Sequence, residues 1–326
     1  MPTILPSQVR RMPESKSAIG SRDDLAVDLS RCLKMRYNAS KCRRCVDICP
    51  HQAVALDAGL AINPDQCSGC LLCTTVCPVG ALESRSDFSV CLAQLSKVPE
   101  PVLGCIRTQK SSNAALACLG GLAEEHLLIL FHTLAGSLTL NLTSCTDCPN
   151  SPMIVQLRQR LDSLAEDRPS GRKCRIVLAD VAENLNYSQE VVDRRSFFKS
   201  VGSYLFKGAD TILFPENEQG QQRSEYAEKR LPIRRELLNR IRHTISPEGE
   251  VRIQKHFDSF VSFDNNCTSC QGCVAICPTG ALQTESSDLP PSFKHLLCTG
   301  CGLCSEFCLD GAVELHPPEN IEGKSE

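Results

Sequence analysis

Cys267-Thr268-Ser269-Cys270-Gln271-Gly272-Cys273-Val274-Ala275-Ile276-Cys277-Pro278 is the stretch from which this 326-residue chain is best read. Cysteines at two successive steps of three put three thiolates on one short loop, and a fourth follows before a proline. The pattern returns at Cys67, Cys70, Cys73 and Cys77-Pro78, and again, without the proline, at Cys298, Cys301, Cys304 and Cys308. A fourth run, Cys42, Cys45 and Cys49-Pro50, is one cysteine short: position 39 is Ala39, and the nearest cysteine upstream is Cys32. The runs form two pairs, one towards each end. A lone C-x2-C is compatible with zinc, a disulfide oxidoreductase site or chance. Three complete runs and one near-complete run leave metal-cluster binding, with structural zinc as the alternative. Gly69, Gly272 and Gly300 stand just before cysteines of these runs, where a missing side chain lets backbone pass close to a metal group. Pro50, Pro78 and Pro278 restrict the chain as it turns away.

Both pairs resemble the bacterial dicluster [4Fe-4S] ferredoxins. The resemblance implies that the first three cysteines of a run hold one cubane while the last ligates its neighbour. Cluster one would then be held by Cys32, Cys42, Cys45 and Cys77, and cluster two by Cys67, Cys70, Cys73 and Cys49. Cluster three would use Cys267, Cys270, Cys273 and Cys308, and cluster four Cys298, Cys301, Cys304 and Cys277. Cys32 reaches the vacant corner if Lys34–Asn38 is an inserted loop; a three-iron cluster or a non-cysteine ligand is the alternative. Ala53–Leu56, Gly80–Leu82 and Gly280–Leu282 are expected to be short strands covering the clusters.

Composition restricts the remaining classes. A secreted disulfide scaffold would also account for 22 cysteines, but their spacing is that of cluster loops. Met1–Pro6 lacks a charged stretch leading into an apolar segment, so a reducing cytoplasm is expected. The longest apolar candidate, Leu127–Phe131, is far too short to span a bilayer, so no direct membrane insertion is expected. Arg194-Arg195 looks like a twin-arginine export motif but lies mid-chain, and reads as the start of a basic amphipathic helix. A net charge of −3, no Trp and four Tyr argue against a nucleic-acid partner. The basic residues of 223–242 form either a solvated helix face or a docking surface for an acidic partner, with Arg234, Arg235 and Arg240 its leading candidates.

Between the paired runs the pattern changes. Val102–Cys105, Ser137–Leu142 and Arg175–Ala179 read as strands. Glu124–Leu134 and a segment starting at Ser151-Pro152, with Ile154, Leu157, Leu161 and Leu164 at helical spacing, read as helices. This order implies a small parallel α/β layer. Cys105, Cys118, Cys145 and Cys148 fall at or beyond strand ends, where ligands of open parallel sheets bind. Their order resembles the small [2Fe-2S] subunit of methyl-viologen-reducing hydrogenases. That implies a [2Fe-2S] cluster, with zinc, a Cys145/Cys148 redox disulfide or plain buried thiols as alternatives. Cys91 and Cys174 fit no pattern and read as core residues.

The expected fold class is α+β. Two dicluster ferredoxin-like modules, residues 26–98 and 256–316, flank a small α/β domain at 99–190, followed by a helical connector at 191–255. Residues 1–25 and 317–326 are expected to be flexible ends. In the connector, Phe197, Phe198, Tyr204, Leu205 and Phe206 are candidate packing residues, Pro215–Gln222 a polar loop, and Arg223–Ile245 a helix with Leu231, Leu238 and Ile241 on one stripe. No Gly-rich nucleotide loop or Ser/His/Asp order is present, and no catalytic residue is assigned. The ferredoxin resemblance implies an electron-transfer protein or subunit of anaerobic-type metabolism, carrying four [4Fe-4S] clusters between redox protein partners, in a larger oxidoreductase complex. Two alternatives stand beside it: a ferredoxin-fed oxidoreductase with a central metal or thiol site, and a scaffold subunit.

Overall fold

The computed structural model describes residues 23–164, 174–187 and 228–318. The twin-arginine pair, Phe197–Phe206, Pro215–Gln222 and most of both expected flexible ends lie outside them. Between the cysteine pairs, four parallel strands form one sheet in the order Ala114–Leu116, Val102–Cys105, Leu138–Asn141, Ile176–Ala179. Three are the strands expected from the sequence. Ala114–Leu116 was not, because three apolar residues carry no periodicity by which a strand is recognised. Val102–Cys105 is wholly buried. Its Gly104 is required by packing: a β-carbon there would lie 2.2 Å from Ser112 Oγ and 2.4 Å from Thr108 Oγ1. The sheet is flanked by helices Phe88–Leu95, Glu124–Thr133 and Met153–Ser163. Asp87 caps the first, accepting from Val90 N at 3.1 Å. The third begins one residue later than Ser151-Pro152 suggested, with Pro152 in the cap position and no side-chain cap. Cys91 and Cys174 are buried in the core.

The terminal modules are built alike, from antiparallel strand pairs and short helices. Val54–Ala55 pairs with Ala61–Ile62, and Leu25–Val27 with Leu82–Ser84. In the other module Leu282–Gln283 pairs with Ser292–Phe293, and Phe260–Phe263 with Val313–His316. A short paired strand does follow each Cys-Pro, within the expected Ala53–Leu56 in one case but later than expected in the others, which share only Leu82 and Leu282 with the expected segments. Lys34–Asn38 is not the loop expected: Leu33–Arg36 is one helical turn starting at Cys32.

The connector helix is shorter than its sequence pattern suggested. It runs Ile233–Ile241 and is followed by a 3-10 turn and a second helix, Pro247–Phe257, capped by Ser246. Leu231, Leu237, Leu238 and Ile241 are buried, as an apolar stripe requires. Arg234 and Arg235, leading candidates for a docking surface, are buried, at 9% and 3% exposure, and so unavailable to a partner, whereas Arg240 is half-buried; Arg223 lies outside the described residues.

One apolar core joins the N-terminal module, the central sheet, the connector helix and Leu303 of the C-terminal module, with Ile276 and Cys301 packed against it. The central domain meets the N-terminal module along Gly120 and Gly121. A β-carbon on Gly120 would lie 2.3 Å from the Cys70 carbonyl oxygen, and one on Gly121 would lie 3.2 Å from Leu71 Cβ. Buried Arg160 seals this seam, donating to the carbonyls of Gly120 (3.1 Å) and Leu122 (2.7 Å) and to Thr75 Oγ1 (2.8 Å). The two terminal modules also touch directly. Tyr37 meets Phe307 edge-on at 5.4 Å, and Lys41 N donates to Glu306 Oε1 at 3.3 Å. Among the described residues no helix is long and apolar enough to cross a membrane.

Gly120→Ala is expected to destabilise the chain by about 1–3 kcal/mol, because backbone rather than a mobile side chain blocks the new methyl. Denaturant unfolding of the iron-loaded chain measures this, and an unchanged midpoint would mean that the seam can part.

Candidate metal centres

The loops that carry the triple cysteines end in a common way. Leu71, Gln271 and Gly302 adopt left-handed backbone immediately before the helices Leu72–Val76, Gly272–Ile276 and Leu303–Phe307. For Leu71 and Gln271 this conformation is strained, and tertiary contacts hold it. Leu71 is buried against Gly121. Gln271 donates to Leu289 O at 3.0 Å and accepts from Thr284 Oγ1 at 2.9 Å. Each helix then stops at a cysteine with extended backbone: Cys77, Cys277 and Cys308. The remaining helix, Arg44–Asp47, ends at Ile48, one residue before Cys49.

The thiol neighbourhoods follow from these reversals. Burial first, then Cys77, Cys32 and Cys42, push the Cys45 thiol up to about 12. Cys32 and Cys42 are raised by burial with Cys77 again a neighbour. Cys32, Cys42, Cys45 and Cys77 therefore stand together. Cys32 is 8% exposed at the head of its helical turn, whereas Ala39, where the missing cysteine was sought, faces solvent. Cys49, Cys67, Cys70 and Cys73 line a single cavity with Leu25, Val54 and Ile62. Burial raises Cys73 strongly, with Cys70, Cys67, Cys45 and Cys49 adding to it. Cys45 and Cys73 are thus neighbours across the two sets.

In the C-terminal module, burial raises Cys298 to about 11 and Cys304 to about 12, with Cys277 contributing to both. Cys301 is raised by burial and by Cys277, Cys304 and Cys298. Cys273 is raised to about 11 by burial, with Cys267 and Cys270 next to it. The loop after Cys308 is tied to that last group's loop, Thr268 Oγ1 donating to Asp310 Oδ2 at 3.0 Å. Backbone N–H groups also point at sulfur: Ala53 N lies 3.3 Å from Cys49 Sγ and Ala81 N 3.2 Å from Cys77 Sγ.

The central cysteines line one cavity at the carboxyl ends of the strands. Cys105 closes its strand, and its N–H donates to Thr108 Oγ1 at 3.0 Å. Buried Asn141 accepts from Thr143 N and Oγ1, and consecutive turns then carry the chain through Cys145 and Cys148. Cys105, Cys118, Cys145 and Cys148 line one cavity of about 580 Å³ together with Ser68 and Gly69 of the N-terminal module. Burial, then Cys105, Cys70 and Cys145, push Cys118 up to about 12. Burial, Cys105 and Cys148 raise Cys145 to about 11. Asn150 Nδ2 points at Cys118 Sγ from 3.8 Å, while Asn150 Oδ1 and Ser68 Oγ are buried without hydrogen-bond partners.

These sets fit iron-sulfur ligation. All 22 cysteines are free of disulfides. Thiols held neutral by burial become ligands only when a metal takes the place of the proton. Among the described residues no three His, Cys, Asp or Glu side chains gather around one point as a single ion demands. The cysteine sets are neighbours without that convergence, an arrangement compatible with a cluster in which different cysteines bind different irons. Arg160, Arg234 and Arg235, which bond to backbone beside these cysteines, were not singled out as buried from the sequence. The available signal was register: Arg234 sits at the start of the stripe continued by Leu237, Leu238 and Ile241.

Comparison with known proteins agrees with this geometry. Residues 40–81 match one family model of the 4Fe-4S dicluster domain, and residues 266–313 match another. An uncharacterized ferredoxin of Methanocaldococcus jannaschii is 26% identical over 57 residues, 18% of this chain and 39% of that protein. Pyruvate synthase subunit PorD of Thermotoga maritima is 42% identical over 51 residues, 16% of this chain and 50% of that subunit. The chain thus spans half or less of the length of these curated relatives, and no solved structure matches it. Cysteine runs, three of them ending where a short helix stops in extended backbone, together with these matches, identify the regions near both ends of the chain as 4Fe-4S dicluster domains.

Proposed function

We propose that the chain is an electron-transfer subunit holding four [4Fe-4S] clusters in one continuous row. The ligands are Cys32, Cys42, Cys45 and Cys77 for cluster one, Cys67, Cys70, Cys73 and Cys49 for cluster two, Cys267, Cys270, Cys273 and Cys308 for cluster three, and Cys298, Cys301, Cys304 and Cys277 for cluster four. The observation that carries this reading is the grouping of thiols drawn from different runs, with Cys77, Cys49 and Cys277 each among the cysteines of the opposite loop. Bound clusters supply one-electron redox chemistry. The residues hold them apart from water, orient N–H groups towards sulfur and set the spacing between them.

Neighbouring ligands give the row its order. Cys118 of the central site neighbours Cys70 of cluster two, Cys73 of cluster two neighbours Cys45 of cluster one, and Cys304 of cluster four neighbours Cys273 of cluster three. Clusters one and four face each other where Tyr37 meets Phe307 and where Cys301 joins the N-terminal core. Cluster three ends the row at the surface: Cys270 is exposed, and Leu309, beside Cys308, is 97% exposed. A redox partner would dock there. The likeness to a protein named as a pyruvate synthase subunit supports a place within a larger oxidoreductase complex.

The central cavity supports a fifth centre, a [2Fe-2S] cluster on Cys105, Cys118, Cys145 and Cys148, at the other end of the row. The four thiols lining one cavity and the two unpartnered polar atoms beside them favour a bound group over plain buried thiols. Zinc would make the site structural, and a substrate-reducing centre would make the chain an oxidoreductase in its own right.

The full chain, purified anaerobically, is expected to carry about 16 irons in the terminal modules and about two more in the centre. Cys32→Ala is expected to convert cluster one to a three-iron form or abolish it, and Cys91→Ala to leave iron unchanged; electron paramagnetic resonance and iron analysis distinguish these results. A silent Cys32→Ala would require another fourth ligand.

Cys308→Ser is expected to damage the cluster held by Cys267, Cys270 and Cys273 rather than the one held by its own run. Loss of the latter signal instead would reverse the crossover assignment.

Cys145→Ser is expected to remove a rhombic signal distinct from those of the cubanes. Stoichiometric zinc in the unaltered chain would instead mark a structural site.

A further inference from the structure

Helix Ile233–Ile241 stands between the two dicluster domains, and its first turn presents two consecutive arginines. Neighbouring helical residues diverge by about 100°, so the two side chains leave in different directions. Arg234 enters the N-terminal module. Its Nη2 donates to the Cys77 carbonyl at 2.7 Å, its Nη1 to the Thr74 carbonyl at 3.1 Å, and its Nε to Glu125 Oε1 at 3.1 Å. Arg235 enters the C-terminal module. Its Nη2 donates to the Cys298 carbonyl at 3.3 Å and to the Phe257 carbonyl, and its guanidinium lies over the Phe257 ring at 5.1 Å. Asp258 Oδ1, 3.4 Å away, is its counterion. Glu83 of the N-terminal module fixes the start of the same helix, its Oε1 accepting from Ile233 N at 2.7 Å.

Cys77 and Cys298 are ligands of clusters one and four in the function proposed above, on which this inference rests. We infer that Arg234 and Arg235 are a paired tuning device, each raising the reduction potential of the cluster whose ligand carbonyl it holds. The physical ground is burial: in a water-excluded setting a fixed positive charge interacts strongly with a cluster that becomes more negative on reduction, and so favours the reduced form. A hydrogen bond to the ligand's own peptide draws electron density in the same direction. Because two adjacent residues of one helix act on two domains, the step between clusters one and four is set by one rigid element, and its two ends can be tuned independently. Glu125 opposes Arg234, so removal of Arg234 also leaves a carboxylate unbalanced, whereas Asp258 opposes Arg235 and keeps Arg242 at 2.6 Å when Arg235 is removed.

The test is a redox titration of the full, iron-loaded chain followed by electron paramagnetic resonance, with the signals of clusters one and four assigned from Cys32→Ala and Cys301→Ala. Arg234→Gln is expected to lower the midpoint of cluster one and leave that of cluster four in place, and Arg235→Gln to do the converse. Glu125→Gln is expected to raise the midpoint of cluster one. Arg234→Lys, which keeps the charge and loses the fork of donors, is expected to fall between the unaltered chain and Arg234→Gln. A purely structural role moves none of these selectively. Iron-replete variants whose midpoints stay put, or shift together at every cluster, would overturn the inference. If the glutamine variants lose iron, Glu125→Gln and Arg234→Lys decide it by the same criterion. An unaltered chain without clusters at the Cys77 and Cys298 sites removes both this inference and the reading beneath it.

Discussion

A cysteine placed where a short helix ends cannot turn back to the loop that began that helix, and the architecture depends on this reversal. Cys77, Cys277 and Cys308 each take extended backbone as their helix stops. Cys77 and Cys277 come to rest among thiols of the opposite run. Neither loop of a pair is then complete without the other. The short strand pairs that follow, such as Leu25–Val27 with Leu82–Ser84, are needed to hold the loops in mutual register. Strain is accepted for the same end: Leu71 and Gln271 stay left-handed because a buried glycine seam and a set of side-chain hydrogen bonds hold them so.

The joints between domains obey a second rule. Close approach is obtained with glycine, and the buried carbonyls exposed by that approach are satisfied by arginine. Gly120 lets the central domain sit on the Cys70 peptide, and Arg160 then donates to the Gly120 and Leu122 carbonyls. Arg234 and Arg235 do the same for Cys77 and Cys298. Burying a guanidinium costs several kcal/mol unless charge and donors are both answered. Here Arg234 has Glu125, while Arg235 and Arg242 share Asp258. Such a joint fixes orientation through directional bonds, whereas apolar contact alone tolerates sliding. Orientation matters where redox centres on either side must keep a constant separation.

The cysteine runs, their pairing and the parallel central sheet were legible because each has a short, periodic signature in local sequence. Leu138–Asn141 and Ile176–Ala179 alternate or run apolar in the manner of strands. Ala114–Leu116 was not legible, since three residues have no period and are strands only by pairing with Val102–Cys105. The basic run at 223–242 misled for a related reason. Charge is visible in a sequence, but burial depends on what lies opposite, and the acceptors of Arg234 and Arg235 come from residues more than a hundred positions earlier, at Glu125, Thr74 and Cys77, and from Phe257, Asp258 and Cys298 downstream.

By itself, then, the sequence determined the chemistry of the two ends, because ligand spacing is a property of a dozen consecutive residues. Only the tertiary structure decided which thiols from different runs stand side by side. Cys32 stands beside Cys77 because a helical turn at Leu33–Arg36 and the pairing of Leu25–Val27 with Leu82–Ser84 bring them together. Cys118 stands beside Cys70 because Gly120 lets two domains meet at backbone distance. Contacts of that kind join residues remote in the chain, and no local pattern encodes them.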